Sequence, residues 1–323
     1  MAEFELIEQH FTRLTRHTNL GIGDDAALIS VSEGMELAIS ADMLVSGTHF
    51  FADADPYQLG WKSLAVNVSD MAAMGAVPKW VTLAIALPQQ DDVWLSQFSQ
   101  GFFACANTFN IDLIGGDTTK TQQKENLTIS VQIMGEVPRG QAIKRSGAKV
   151  GDDIWVSGPL GKAAVGLQHL LGNLVIDSEA VTEHLAALHM PAPRVDLGIV
   201  LRGIANSCLD ISDGLLGDLQ HILKASNVGA QIQLNAIPTS EFIAQHLDGI
   251  TFQRYVLAGG DDYELCFTAA TDKADQILAV SQQLNLPLSK IGKITHEKAL
   301  EVLDARQQTI TLDSLGYNHF NGH

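Results

Sequence analysis

Acidic residues sit at the ends of apolar runs throughout this sequence. Asp24-Asp25 follow Gly21-Ile22-Gly23, and Asp42 follows the apolar run 37–40. Asp117 follows Gly115-Gly116, Asp210 and Asp213 bracket Ile211-Ser212, and Asp261-Asp262 follow Gly259-Gly260. Any one such acid is read most simply as closing or capping a turn. The set says more, because paired glycines let the backbone approach a ligand closely. Asp70 is the outlier: it lies among Val68, Met71 and Ala72, where a carboxylate needs a partner. Converging carboxylates without matching Lys or Arg suit a hard divalent cation, Mg²⁺ rather than zinc. Mg²⁺ held by acids commonly serves phosphates.

The usual phosphate motifs are missing. Ser157-Gly158-Pro159-Leu160-Gly161-Lys162-Ala163 resembles a Walker A loop only superficially. Its glycines are too close together, and Ala163 stands where a Ser or Thr would bind Mg²⁺. A strand-to-helix turn is the simpler reading. No kinase catalytic-loop or DFG signature occurs. No GxGxxG follows a strand, and neither GxSxG nor HExxH is present.

The elements that must position these acids follow from periodicity. Phe4, Ile7, Phe11 and Leu14 share one helical face. A short strand covers 37–40. Asp55-Pro56 starts a helix that runs to Gly75, with Pro78 just beyond. Further strands are expected at 80–87, 111–114 and 127–134, with a helix opened by Asp91 carrying Trp94, Phe98, Phe102, Cys105 and Phe109. The second half predicts strands at 153–157, 208–211, 231–234, 255–258, 264–268 and 289–294. Helices are expected at 161–171, within 179–201 and after Gly214. Helices and strands mix without a strict βαβ period, so the expected class is α+β, built as two α/β domains. The glycine-punctuated basic stretch 138–152 is the linker candidate. It divides a metal- and nucleotide-binding, dimerising domain 1–140 from a domain 141–323 that completes the active site. Ile39-Ser40-Ala41-Asp42 and Ile211-Ser212-Asp213 hint weakly at an internal duplication.

Bulk properties narrow the partners. The 323 residues carry 20 Lys and Arg against 37 Asp and Glu, a formal charge of −17. Nucleic acid and anionic lipid are poor partners for such a surface. Hydrophobic residues make up 46%, enough for a sizeable core. Cys105, Cys208 and Cys266 lie far apart in apolar runs, reading as buried free thiols of a cytoplasmic protein. The acidic start without an apolar h-region predicts no signal peptide, and no apolar run is long enough to span a bilayer.

In order along the chain, seven segments resemble the thiamine-monophosphate kinase family. They are Gly21-Ile22-Gly23-Asp24-Asp25-Ala26-Ala27-Leu28, Ser40-Ala41-Asp42-Met43-Leu44-Val45 with His49-Phe50, and KSLAVNVSDMAAMG over 62–75. With them stand Ile114-Gly115-Gly116-Asp117-Thr118-Thr119, Arg145-Ser146-Gly147-Ala148, Asp210-Ile211-Ser212-Asp213-Gly214-Leu215 and Gly259-Gly260-Asp261-Asp262-Tyr263-Glu264-Leu265. The resemblance covers essentially the whole chain, to Gly316-Tyr317-Asn318-His319-Phe320, and places it in the superfamily of aminoimidazole ribonucleotide synthetase. It implies an N-terminal α/β domain whose strands build a barrel across a homodimer. The implied reaction is transfer of phosphate from ATP to thiamine monophosphate, with several Mg²⁺ ions. Carried over by position, Asp25, Ser40, Ala41 (through its backbone), Asp42, Asp70, Asp117, Asp210 and Asp213 resemble the metal ligands. Gly116, Asp117, Arg145 and Ser212 resemble the nucleotide site. His49, Asp261 and Tyr317 resemble the substrate site; Asp261 departs from the family's usual Glu. No covalent nucleophile or general base is assigned.

The competing expectations are a purine-pathway synthetase or selenide water dikinase of the same superfamily, and a non-catalytic nucleotide-binding regulator. The dikinase carries a reactive residue near its N-terminus, whereas the earliest cysteine here is Cys105. The hydrogenase-maturation relative ends in cysteine, whereas this sequence ends in His323. A binding-only protein would have little use for so many metal-type acids.

Overall fold

The computed structural model describes residues 3–122, 126–177, 179–310 and 316. It divides into two compact units: Met1–Met71 with Ala76–Gly140, and Ala72–Gly75 with Gln141–His323.

The first unit runs α1 (Glu3–Phe11), β1 (Thr18–Leu20), β2 (Leu28–Ile29), β3 (Met35–Val45), α2 (Pro56–Ala73), β4 (Val77–Leu87), α3 (Asp92–Thr108), β5 (Asp112–Lys120) and β6 (Thr128–Pro138). Its main sheet has the order β3-β6-β4-β5. β6 is antiparallel to both neighbours, and β5 runs parallel to β4. Alternation along these strands gives one buried face, with Leu44, Val131, Ile133, Leu83 and Ile85, and one open face. α2 begins as the sequence predicts: the Asp55 carboxylate accepts the Gln58 N–H at 2.9 Å. Leu64, Ala65, Val68 and Met71 are buried along it. Asp91 caps α3, accepting the N–H groups of Val93 and Trp94, and Phe98, Phe102 and Cys105 are buried on its inner stripe.

The second unit runs β7 (Asp153–Ser157), α4 (Lys162–Leu170), α5 (Val181–His189), α6 (Val195–Val200), β8 (Ser207–Asp210), α7 (Leu215–Ser226), β9 (Gly229–Gln233), α8 (Glu241–His246), α9 (Gly249–Leu257), β10 (Leu265–Ala269), α10 (Ala274–Leu284), β11 (Leu288–Thr295) and β12 (Leu300–Leu303). Its sheet has the order β12-β9-β11-β7-β10-β8. All pairs are antiparallel except β12 with β9. Ile154, Val156, Leu209, Leu216, Leu219, Ile222 and Ile291 anchor its core. All three cysteines are buried and free.

Several elements differ from the sequence reading. The segment 255–258 is the end of helix α9, not a strand. Its β-type Tyr255-Val256 pair packs on the core from a helix, so tertiary burial overrides propensity. β3 continues five residues past Ser40, so Asp42 lies inside a strand rather than at its end. β5 likewise carries through Gly115-Gly116-Asp117. No helix among the described residues is long and apolar enough to cross a membrane.

Candidate active site

In the first unit, Ser40 and Asp42 project from one side of β3, two residues apart. α2 meets them with Asn67 and Asp70, which are three residues apart and share a helix face. Ser40 Oγ donates to Asp70 Oδ2 at 2.5 Å. This is the partner that a carboxylate in so apolar a helix requires. The Asp42 N–H donates to Asn67 Oδ1 at 3.1 Å, while Asn67 Nδ2 donates to the Ser63 carbonyl at 3.1 Å. Asn67 is fully buried, and its fixed amide pins β3 to α2. It was missed in the sequence reading, although a polar side chain one turn before Asp70 was the available signal. Ala41 is exposed on the other side of β3.

Asp117 belongs to the opposite edge of the same sheet. The register aligns Asp42, Val131, Leu83 and Gly116 in one row, and Met43, Ser130, Ala84 and Asp117 in the next. Three strand spacings, about 14 Å along the sheet, separate the two edges. Asp42 and Asp117 therefore cannot share one ion within a single sheet. Gly116 is obligatory there, because a Cβ would fall 1.8 Å from the Leu83 carbonyl oxygen. Asp25 is exposed in the loop after β1, its N–H donating to Asp24 Oδ1 at 2.9 Å. His49 follows β3 in a turn, and its Nδ1 accepts the Val45 N–H at 3.0 Å. The neutral ring then carries its proton on Nε2.

In the second unit, β8 ends on buried Asp210 and leads through Ser212 and Asp213 into α7. One oxygen of Asp218, in the first turn of α7, accepts the N–H groups of both Ser212 and Asp213 at 2.9 Å. Burial pushes the Asp218 carboxyl up to about 7; the Asp213 N–H opposes this and the Asp213 charge adds to it. Asp218 was also missed, because an acid in a first helical turn reads as an ordinary cap.

The segment after α9 lies against the same loop. The Asp261 N–H donates to the Ser212 carbonyl and the Tyr263 N–H to the Ile211 carbonyl, both at 2.8 Å. Asp262 is turned the other way, accepting the Gly161 N–H at 3.0 Å on each oxygen. Burial holds its carboxyl well above the usual range, against the pull of that N–H. Glu264 accepts from Ser157 Oγ at 2.6 Å and from Arg194 Nε at 2.7 Å, with Arg194 Nη2 on its other oxygen. Burial disfavours the Arg194 charge, but the Glu264 hydrogen bonds and charge outweigh it and raise its affinity for the proton. Gly158 leaves room for that carboxylate, since a Cβ would sit 2.2 Å from Oε1. Arg145 is exposed; its carbonyl accepts from Ser226 Oγ at 3.3 Å. Tyr317 lies outside the described residues.

Among the described residues, no three His, Cys, Asp or Glu side chains converge closely enough to hold a metal ion. The donor chemistry nevertheless fits Mg²⁺. Ser40 and Asp70 offer a contiguous pair of hard oxygen atoms, and every other candidate ligand is a carboxylate or a backbone carbonyl.

Comparison with known proteins agrees with these motifs. Residues 23–137 match the AIR synthase related protein, N-terminal domain, and residues 149–305 match the corresponding C-terminal domain. The chain is 43% identical to thiamine-monophosphate kinase of Salmonella typhimurium, over 99% of this chain and 98% of that protein. Its fold matches the crystal structure of thiamine-monophosphate kinase from Stenotrophomonas maltophilia, with a TM-score of 0.83 and 45% identity, over 88% and 91% of the two chains. A second structure, AaThiL complexed with AMPPCP and TMP, matches with a TM-score of 0.78 and 27% identity, over 98% and 96%. The relationship runs over the full length, and the chain is a member of the thiamine-monophosphate kinase family.

Proposed function

We propose that this chain transfers the γ-phosphoryl group of ATP to thiamine monophosphate, giving ADP and thiamine diphosphate. The observation that carries the reading is the full-length identity to thiamine-monophosphate kinases. A structural relative complexed with an ATP analogue and TMP supports the choice of both substrates.

The attacking atom is a phosphate oxygen of thiamine monophosphate, already ionised at neutral pH. No general base is needed, and transfer is direct and in line. The work left to the protein is alignment and charge control. Asp25, Asp42, Asp70, Asp117, Asp210 and Asp213, with Ser40 and the Ala41 carbonyl, would hold Mg²⁺. When bound, Mg²⁺ supplies positive charge that lets two anionic phosphates approach. Gly116, Asp117, Arg145 and Ser212 bind the nucleotide, with the Arg145 guanidinium as a fixed fork on its phosphates. His49 donates from Nε2 to a phosphate oxygen of the acceptor, its tautomer set by the Val45 N–H. Asp261 suits the cationic ring end of the substrate rather than its phosphate, and Tyr317 stacks on that cation.

We also propose a cytoplasmic homodimer. The open face of the first sheet supports it: Ile39 and Met43 are 57% and 56% exposed there, beside exposed Ala41, Gln132 and Ala84. Apolar side chains on an open sheet call for cover. Light scattering tests this, with a dimeric mass expected and a monomeric mass for Ile39→Lys with Met43→Lys.

The test of function is one assay. ATP, Mg²⁺ and thiamine monophosphate are incubated with the protein and the products separated by chromatography. Absence of thiamine diphosphate rejects the reading. A phosphorylated protein intermediate that turns over to product would reject direct transfer.

A further inference from the structure

The turn between α9 and β10 contains two non-glycine residues in the left-handed region, Asp261 at φ 67° and Tyr263 at φ 50°. Asp tolerates that conformation, but a bulky aromatic residue adopts it only when its surroundings enforce it. Backbone strain of this kind gathers where a side chain must be aimed. Here the enforcing contacts are visible. Backbone hydrogen bonds tie residues 261 and 263 to the Ser212 and Ile211 carbonyls. The intervening Asp262 is turned to Gly161. The strained turn brings the Tyr263 hydroxyl back onto its near neighbour, and it donates to Asp261 Oδ1 at 2.9 Å. Tyr263 is only 8% exposed, so its ring is held by packing and the hydroxyl has a fixed position.

We infer that Tyr263 is a positioning residue that aims the Asp261 carboxylate at thiamine monophosphate. This rests on the reading of Asp261 as a substrate contact. A short aspartate has two side-chain torsions and reaches less far than glutamate. A hydroxyl anchor on one oxygen fixes the rotamer of so short a side chain. Tyr263 itself touches no reacting atom; it acts through Asp261.

The experiment compares Tyr263→Phe, Asp261→Asn and the double variant by steady-state kinetics with each substrate, and by thermal unfolding. Phe keeps the ring and removes only the hydroxyl. The expected result for Tyr263→Phe is a KM for thiamine monophosphate raised about tenfold. The KM for ATP and the melting temperature should stay near those of the parent. The double variant should be no worse than Asp261→Asn alone, because the anchor has nothing left to aim. If Tyr263→Phe leaves the KM for thiamine monophosphate unchanged while Asp261→Asn raises it, the inference falls and the substrate role of Asp261 stands. If neither variant changes that KM, the Asp261 reading falls and takes this inference with it. A rise in both KM values together with a lower melting temperature assigns Tyr263 a purely structural role, which also overturns the inference.

Discussion

The acids of the first unit and those of the second are held in different ways. In the first, Ser40, Asp42, Asp70 and Asp117 ride on two edge strands and a long buried helix, and the regular backbone sets their spacing. In the second, the acids stand on turns and at the ends of short elements, and hydrogen bonds fix them: Asp218 by two N–H groups, Asp262 by Gly161, Glu264 by Arg194 and Ser157, Asp261 by Tyr263. The energetics differ in sign as well. Burial works against the Glu136 charge in the first unit, but Lys79 and Ser32 outweigh it and hold the carboxyl below its usual range. Burial wins at Asp218 and Asp262, which are held above it. At the scaffold-borne Glu136 hydrogen bonds and a cation overcome burial, whereas at the turn-borne Asp218 and Asp262 the backbone N–H groups favour ionisation but burial prevails.

If that contrast holds, substitutions in the two units separate activity from stability. The largest effect is expected on turnover in the first unit. Asp42→Asn and Asp117→Asn should each lower kcat by at least about a hundredfold while leaving thermal unfolding near that of the parent. Near-parental turnover of both variants at saturating Mg²⁺ would remove them from the metal-binding set. Next comes Arg194→Ala in the second unit. It leaves the buried Glu264 carboxylate without its guanidinium and should cost about 3–5 kcal/mol in denaturant unfolding. A loss under about 1 kcal/mol would mean that Ser157 alone suffices to hold that turn.

The same contrast explains what could be read in the sequence. Helix starts at Asp55 and Asp91 were legible because capping is local chemistry, and the need of Asp70 for a partner followed from its apolar neighbours alone. The partner itself, Ser40, lies thirty residues away on another element, and only the resemblance brought the two into one set. Strand ends were misplaced at Asp42 and Asp117, since glycines inside β5 look like a turn until the parallel pairing with β4 is known. The positioning residues of the second unit were the least legible. Asp218, Arg194 and Tyr263 act across turns that close only in the fold, and each taken singly reads as a cap, a surface charge or a core aromatic.

The smallest effect concerns pH, and it turns on the sign at Asp218. Its folded carboxyl is raised to about 7, well above the ordinary aspartate value of about 4. The folded chain therefore holds the proton more tightly than the unfolded chain does. Stability from this group is fully present below about pH 4, is lost as the pH rises towards 7, and stays lost above it. The full shift corresponds to a ceiling of about 4 kcal/mol, and relaxation and solvent reduce what is expressed. Asp218→Asn stays neutral throughout and keeps one oxygen to accept from the backbone. In metal-free buffer its stability relative to the parent should climb between pH 4 and 7 and then level off, as read by urea unfolding at each pH. Glu136→Gln in the first unit should show the opposite slope at acid pH. The parent gains its Glu136 contribution above the unfolded value and loses it as the pH falls through the depressed folded one. If the two variants give slopes of the same sign, the two units do not hold their buried acids by opposing balances of burial and hydrogen bonding, and the division drawn between scaffold-borne and turn-borne carboxylates fails with them.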